Sequence, residues 1–487
     1  MNDAGLINYL NLIQSIISDY KTEAYLVGGI VRNQLMVRPT KDVDLAIANN
    51  PKEIAHRLSE KLKAPMITLE EEREIYRVFS NDGFQFDFAR FKGKNIEEDL
   101  SQRDFSVNAM AVRLPVRHFE SMTQDLIDPY HGKKDIAQKT IRHISTAIYD
   151  DDPLRLLRGF RIACQLQFQI DPTTFEAIKA NCNKIKMPAV ERVREELLLL
   201  LESPNAYPYI CSMDASGLTS ELFPEIDPNR TCALDYYPGK GVWGHSLDGL
   251  KHLEWILINL EKEFPENHEK MAPVFFGIGN DTEGHSRAAL MKLAILFHDI
   301  GKAPTAEIID GRMRFFMHEE VGAKISTKIA QRLKCSSDFT QGVSRLVQSH
   351  MRPGGLAHIP NLTDRAKFRF FRDLGNAALP MLMVSLADRY TYLTEQEIGK
   401  ETDLHEKSTK ELVRWYYQKE LEQQYKKPKL INGDLLMDHL GLKPGPTLGK
   451  ILRDLDEAIA LGEVGTKEQA ITFAEKWIKN PPDSKEN

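Results

Sequence analysis

Cysteine is scarce in this 487-residue sequence. Cys164, Cys182, Cys211, Cys232 and Cys335 lie far apart with no C-x-x-C pair. That spacing excludes a disulfide framework and a zinc ribbon, and it points to a reducing cytoplasm. Long apolar runs are missing too. The most apolar stretch, AALMKLAILF, is short and interrupted by Lys292, so no membrane-spanning segment is expected. The opening MNDAGLINYLNLIQ lacks the basic-then-apolar build of a secretory leader. No basic surplus exists either: Lys and Arg total 64 against 70 Asp and Glu, a net charge of −6. Any surface that binds phosphates must therefore be a local patch. No internal repeat or low-complexity stretch is found.

What is present divides into four parts. Residues 1–145 read as an α+β domain with a mixed sheet. A first helix carries apolar Leu6, Leu10, Ile13 and Ile17, and strand-like runs follow at Ala24–Val27, VDLAI, ITLEEEREIYRVFS and FQFDFARF. Residues 146–240 read as helical, ending in a linker or short neck from 203 onward that is dotted with Pro, Gly and Cys. A His-rich helical block covers 241–400, and a helical tail broken at YKKPK and LKPGP covers 401–487.

The first constellation of chemical interest begins at Gly28-Gly29, after an apolar strand and before the helix start IVRNQL. Glycines there let backbone N–H groups approach a phosphate, and Arg32 in the first turn adds a cation. Ten residues on comes Asp42-Val43-Asp44. On a strand, i and i+2 share a face, so the two carboxylates point the same way and repel unless a cation lies between them. Mg²⁺ bridging a triphosphate and an attacking hydroxyl would supply that charge. A solvated edge strand is the plainer reading of an isolated D-x-D; the strand–Gly-Gly–helix–Arg unit before it tips the balance to metal. Asp87, in FQFDFARF between Phe86 and Phe88, is the candidate third carboxylate.

These motifs, with those that follow in order, resemble the class II CCA-adding tRNA nucleotidyltransferases and the related bacterial poly(A) polymerases. The resemblance implies that Asp42 and Asp44 hold the catalytic metal. QRDFSVNAMAV resembles the ribose-recognition motif, implying contacts from Arg103, Asp104 and Asn108, with Gln102 in place of the usual first arginine. DLIDPYHGKKDI resembles the hinge after the catalytic (palm) domain. DDPLRLLRGFR resembles the templating motif, with Asp151 where glutamate is usual, then Asp152, Arg155 and Arg158. VERVREE resembles the neck segment whose Glu191 and Arg192 brace it. The implied substrates are CTP, ATP and the 3′ end of tRNA.

Base selection also has a reading from the residues alone. On one helix, Asp152 and Arg155 would project side by side. A carboxylate accepts hydrogen bonds and a guanidinium donates them. Cytosine and adenine both offer an amino donor beside a ring-nitrogen acceptor, whereas guanine and uracil reverse that order. Each mispaired buried group costs about 1–3 kcal/mol, enough to reject the wrong bases. The alternative is a helix cap at Asp150–Asp152 with solvated arginines.

The second constellation is His245, His298-Asp299 followed by Ile-Gly-Lys, His318, His350 and Asp388, each on an apolar helix. Convergence on one or two divalent cations would resolve the cost of burying them. The pattern resembles the HD phosphohydrolase superfamily. That likeness implies His245, His298, Asp299 and Asp388 as ligands, with His318 and His350 serving a second metal or the phosphate; His252 and His358 are bystanders. The tail resembles the C-terminal segment of CCA-adding enzymes that carry such domains, and Lys426, Lys427 and Lys429 just upstream would meet tRNA phosphates. The implied reaction is stepwise CMP and AMP addition. Its rivals are a CC-, A- or poly(A)-adding relative, and an HD phosphohydrolase whose N-terminal domain only binds nucleotide.

Overall fold

Alternation of apolar and polar residues produces a seven-stranded sheet in the first half of the chain. The structure is a computed structural model that describes residues 3–116, 124–279, 281–419 and 430–479. It divides into two units, Met1–Pro224 and Glu225–Asn487.

In the first unit, helix α1 (Asp3–Tyr20) leads into β1 (Ala24–Val27), α2 (Gly29–Leu35), β2 (Asp42–Ile47) and α3 (Pro51–Leu62). Strands β3 (Met66–Glu70), β4 (Ile75–Phe79) and β5 (Gln85–Arg90) follow, then α4 (Ile96–Ser101), β6 (Ala111–Arg113) and β7 (Leu126–Ile127). The sheet order is β3-β4-β5-β2-β1-β6-β7. Only β2 and β5 run parallel, with Asp44 opposite Asp87; the other neighbours are antiparallel. The sheet is mixed, as the sequence suggested.

Period-2 alternation sorts β2 into two faces. Val43, Leu45 and Ile47 enter a core with Phe86 and Phe88, closed by Leu6, Leu10, Ile13 and Ile17 of α1 and by Ile54, Ala55 and Leu58 of α3. Asp42 and Asp44 lie on the opposite face with Ala46, which packs against Ile96 and Leu100 of α4. The helices therefore insulate one side of the sheet and leave its acidic side open for chemistry.

Helix α5 (Gly132–Ala137) and the short α6 (Ile148–Asp151) precede α7 (Arg155–Leu166), α8 (Pro172–Asn181) and α9 (Val190–Glu202). No break separates this helical region from the sheet domain near residue 145. Phe105 and Val107 share a core with Ile162, Ala163, Leu166 and Phe168, and a Cβ on Gly159 would sit 3.0 Å from the Phe105 ring. Interiors this close-packed behave as one body.

Residues 203–241, read as linker or neck, contain the helices Tyr207–Ala215, Leu218–Leu222 and Asp227–Thr231. The last belongs to the second unit. Asn229 donates to the Ile300 carbonyl at 3.1 Å and accepts from the Ala303 amide at 3.2 Å, so the boundary falls at 224/225 rather than 240.

In the second unit, helices Gly241–Ile258, Arg287–Phe297, His318–Arg332, Ser337–Ser349 and Ala378–Tyr390 pack around the histidine cluster. Lys292, which interrupts the apolar run, is buried and donates to Glu254 at 2.7 Å. Helix Leu404–Gln418 packs on Arg352–Ala357 and Ala378–Tyr390, so the expected break at 400 falls inside a packed block. Beyond it, helices Gly433–Leu440, Pro446–Ala460 and Lys467–Lys479 build their own core around Leu436, Ile451 and Leu455. Buried Glu457 ties this tail to helix Asp364–Leu374 through Arg365, Arg369 and Arg372 at 3.1, 3.0 and 3.2 Å. Lys426, Lys427 and Lys429 lie outside the described residues. No helix among the described residues is long and apolar enough to cross a membrane.

Candidate functional site

On the open face of the sheet, a cavity of about 810 Å³ gathers residues that are scattered through the first 192 positions. Gly28, Gly29, Arg32, Asp42, Asp44, Asp87, Arg103, Asp104, Asn108, Asp152, Arg155 and Arg158 all line it. Of the nucleotide-binding residues expected from the sequence, Asp151 alone does not; it is exposed on α6, away from the cavity wall.

Asp44 is the most heavily desolvated acid on β2. Burial raises its pKa; Arg103 opposes the rise, and the Asp87 and Asp42 carboxylates reinforce it. Gly28, at φ +70°, keeps the space above it open. A Cβ there would lie 3.2 Å from Asp44 Oδ2 and 3.1 Å from Arg103 Nη1. A carboxylate cluster short of positive charge beside an open cradle fits a divalent cation.

Asp87 stands next to Asp44 in register, but Arg77 on the neighbouring strand takes both of its oxygens, at 2.6 and 2.7 Å. A forked pair of this kind satisfies the carboxylate in the metal-free site, while Asp87 lines the cavity beside Asp44.

A chain of polar contacts forms one wall. Arg32 donates to Asn108 Oδ1 at 2.5 Å, Asn108 donates to Asp104 Oδ1 at 3.0 Å, and Arg158 Nε lies 3.3 Å from Asp104 Oδ2. Glu196 on α9 anchors Arg161 at 2.5 Å. Burial would push the Asp104 carboxyl upward, but Arg158, Asn108 and the Phe105 amide outweigh it and hold it below the ordinary range. Burial lowers the Arg32 guanidinium to about 10, still far above neutrality, so it keeps its charge. The buried Arg158 Nε also lies 3.9 Å from Glu196 Oε1, so that side of the guanidinium is held between two carboxylates. Arg103 is steadied by Asp99 at 2.9 Å.

Asp152 and Arg155 do not form the side-by-side pair expected of one helix. Pro153 disfavours helical backbone at the residue before it, and Asp152 is extended (φ −149°, ψ 97°), capping the end of α6. Its carboxylate accepts from Arg192 of α9 at 2.7 Å and from the Leu154 amide at 3.2 Å. The Arg155 guanidinium turns inward and donates to the Gln102 carbonyl at 2.8 Å. Pro153 was the signal in the sequence that could have prevented the error. Arg192, expected as a brace, is the partner that meets Asp152.

The second unit holds the other site. His245, His298 and Asp388 form one ligand group, and Asp299, His318 and His350 form another, each with its ligand atoms within 4.8 Å. His252 and His358 fall in neither group.

Each imidazole is oriented through Nδ1. His298 meets the Ile295 carbonyl at 2.7 Å, His318 the Phe315 carbonyl at 2.9 Å, and His350 the Val347 carbonyl at 2.7 Å. His245 meets Thr391 Oγ1 at 3.2 Å, while that hydroxyl donates to the Asp388 carbonyl. A carbonyl can only accept, so Nδ1 carries a proton in these three, and Nε2 is the atom turned to the centre.

The inward atoms His245 Nε2, His298 Nε2, Asp299 Oδ1 and Asp388 Oδ1 are buried without hydrogen bonds, although His245 Nε2 and Asp388 Oδ1 are 3.0 Å apart. This N/O donor set fits one or two divalent ions. Burial opposes ionisation of Asp299 and Asp388, but His298, Lys302 and His245 hold Asp299, and His245 and His298 hold Asp388, well below the ordinary range. The same carboxylates outweigh burial at His298 and raise it to about 10, whereas burial and His298 lower His350 to about 4.

Gly301 makes this geometry possible, because a Cβ there would lie 2.0 Å from the His318 carbonyl and 2.6 Å from the Gly322 amide. Gly301→Ala is expected to cost about 3 kcal/mol or more of stability by forcing backbone apart, read as a fall in the denaturation midpoint. The residues the sequence reading passed over here are Thr391, Tyr237 and Lys302. Only Lys302, in the HDIGK run, carried a local signal.

Known proteins give a consistent comparison. A family model for the poly A polymerase head domain matches residues 24–142. A model for a probable RNA and SrmB-binding site of polymerase A matches 167–229, and one for a putative tRNA nucleotidyltransferase domain 2 matches 317–474. An A-adding tRNA nucleotidyltransferase of Deinococcus radiodurans is 32% identical, covering 95% of this chain and 97% of its own. A CC-adding enzyme of Geobacter sulfurreducens is 28% identical over 97% and 96%. Among solved structures, an apo form of a CCA-adding enzyme shares the fold with a TM-score of 0.63 at 19% identity, over 98% of this chain and 96% of that one. The Thermotoga maritima CCA-adding enzyme complexed with tRNA aligns with a TM-score of 0.59 at 19% identity, over 97% and 95%. With a relative above 30% identity along nearly its whole length, this chain belongs to the tRNA nucleotidyltransferase and poly(A) polymerase family, whose members generally depend on a divalent metal.

Proposed function

We propose that the first unit transfers CMP and AMP, from CTP and ATP, to the 3′ end of tRNA in the cytoplasm, without a nucleic-acid template. The observation that carries this reading is the single cavity holding Asp42 and Asp44 together with Arg32, Arg103 and Arg158. Asp42 and Asp44 would hold Mg²⁺, which supplies Lewis acidity at the reacting phosphate and lowers the pKa of the primer hydroxyl.

The protein's own groups do the rest. Gly28 and Gly29 leave room for the triphosphate, Arg32 and Arg158 offer it positive charge, and Arg103, Asp104 and Asn108 set the ribose. The primer 3′-oxygen forms its bond to the α-phosphorus as the bond to pyrophosphate breaks. Asp152 and Arg155 read the base once a nucleotide draws them from Arg192 and from the Gln102 carbonyl.

Supplying purified protein with labelled CTP or ATP and tRNA ending at the discriminator base, after C, or after CC tests the reading. Both nucleotides, each at its proper end, are expected. Incorporation of ATP alone, onto CC ends, would identify an A-adding enzyme, a second reading favoured by the D. radiodurans relative. Incorporation of neither would sink the proposal. Gly28→Ala is expected to raise the KM for CTP about tenfold, since the new methyl crowds Asp44 and Arg103 in a strained backbone.

For the second unit, the paired ligand groups favour an HD-type centre that hydrolyses phosphomonoesters or cyclic phosphodiesters. On this reading the tail meets tRNA phosphates. Release of phosphate from p-nitrophenyl phosphate, or ring opening of 2′,3′-cyclic AMP to adenosine 2′- or 3′-monophosphate, lost in His298→Ala, is the expected result.

A further inference from the structure

Two separate groups of cations line the cavity of the first unit. One is Arg32 and Arg158, tied together through Asn108 and Asp104. The other is Lys92, Arg103 and Arg155. Lys92 lies in the turn between β5 and α4, and that turn is pinned at both ends. The Lys92 amide donates to Asp99 Oδ1 at 2.9 Å, and Asn95 caps α4 by accepting from the Glu98 amide at 2.9 Å. Asp99 spends its second oxygen on Arg103, at 2.9 Å.

The Lys92 ammonium has no ion pair or hydrogen bond among the described residues. Arg155 has no carboxylate partner among them either; its guanidinium meets the Gln102 and Ile148 carbonyls, at 2.8 and 3.4 Å. Partial burial of the ammonium lowers the Lys92 pKa, and Arg73, Arg155 and Arg103 lower it further while Asp99 opposes them. A cleft wall with surplus charge of one sign attracts the opposite ion.

Sheet topology separates the two groups. Strand β1 runs antiparallel to β2, so Gly28, Gly29 and the start of α2 lie where β2 begins. Strand β5 runs parallel to β2, with Ile47 opposite Arg90, so it delivers Lys92 where β2 stops. In-line displacement places the attacking oxygen opposite the leaving pyrophosphate. With the triphosphate at the glycine end, the RNA enters from the Lys92 end. Arg103 and Arg155 approach the ribose and base of the incoming nucleotide, which leaves Lys92 for the RNA strand.

We infer that Lys92 is a primer-binding residue, its ammonium pairing with the phosphate on the 5′ side of the RNA's terminal nucleotide. The inference rests on the nucleotidyl-transfer reading of this cavity.

The test uses full-length protein, ATP and a synthetic acceptor-stem RNA ending in CC. The RNA carries either a normal or an uncharged methylphosphonate linkage before its last nucleotide. Lys92→Gln is expected to raise the KM for normal RNA about tenfold and to leave the KM for ATP within about twofold. Loss of one phosphate contact should also flatten the dependence of log KM on log salt by about one unit. The methylphosphonate should weaken the parent by a similar factor and Lys92→Gln hardly at all, because the pair is already broken. Lys92→Arg, which keeps the charge, should behave as the parent. A rise in the KM for ATP instead, an unchanged KM for RNA, or losses that simply add would overturn the role given to Lys92. Fluorescence anisotropy of the same RNAs without ATP reads the contact apart from catalysis. A parent that shows this binding pattern yet transfers no nucleotide to any RNA end would sink the transferase reading and leave the contact standing.

Discussion

Asp44→Asn is expected to reduce nucleotide incorporation by about 10³-fold or more while leaving the protein as stable as before or more so. Loss of a carboxylate that places a Lewis-acidic cation removes several kcal/mol of transition-state stabilisation, and each ~1.4 kcal/mol is a factor of ten. Stability goes the other way because burial and the Asp42 and Asp87 charges raise the Asp44 pKa. A carboxyl with a raised folded pKa contributes most below its ordinary value and loses that contribution as pH climbs through the raised one. At neutral pH the metal-free parent therefore carries a desolvated charge that the amide lacks.

Asp104→Asn supplies the contrast. Its folded pKa is lowered, so its contribution is present at neutral pH and lost on acidification. Removing that charge leaves Arg158 less well balanced and is expected to cost about 3 kcal/mol. Labelled-CTP incorporation and chemical denaturation at pH 7, run on both variants, check the pair. An Asp44→Asn protein that is markedly destabilised, or that still incorporates CTP, refutes the assignment of Asp44 as a desolvated metal ligand.

The contrast between these acids also shows how far the sequence could be read. Asp42 and Asp44 were legible because strand periodicity is local: alternate residues of β2 had to face away from Val43 and Leu45, whatever the rest of the chain did. The histidine cluster was legible because buried imidazoles on apolar helices have few stable fates. What escaped was set by residues distant in sequence. Nothing near Asp87 announces that Arg77 will lie across from it, since that pairing depends on how β4 and β5 register. Arg192 reaches Asp152 from α9, forty positions away. The one avoidable miss was local: Pro153 ends α6 at Asp152, so a carboxylate and a guanidinium three residues apart do not share a helical face. Domain boundaries failed for a related reason. Phe105 sits inside the helical core, and Asn229 is pinned to Ile300 and Ala303, so burial rather than composition decides where one unit ends.

The histidine centre predicts a second large effect, this time on stability alone. Stripping divalent metal from the protein and then restoring Mn²⁺ is expected to raise the melting temperature of the second unit by about 5–10 °C. A ligand present at a hundred times its dissociation constant stabilises the folded state by about 2.7 kcal/mol. For a unit of this size, each kcal/mol moves the midpoint by about 2–4 °C. The structure explains why the gain should be this large. Three of the imidazoles spend Nδ1 on a backbone carbonyl and the fourth meets Thr391 with it, so each turns Nε2 to the centre, where without metal only histidine–carboxylate and lysine–carboxylate pairs balance the buried charge. Those atoms were desolvated when the chain folded, at a cost that a bound cation would offset more fully than the ion pairs do. In His298→Ala the Mn²⁺-dependent shift should disappear, while Asp44→Asn, whose carboxylate lies in the other unit, should retain it. Calorimetric scans of the three proteins with and without Mn²⁺ decide the matter. A shift that survives in His298→Ala and vanishes in Asp44→Asn would mean that the metal stabilises the sheet domain and that the helical cluster is held together by its histidine–carboxylate ion pairs alone.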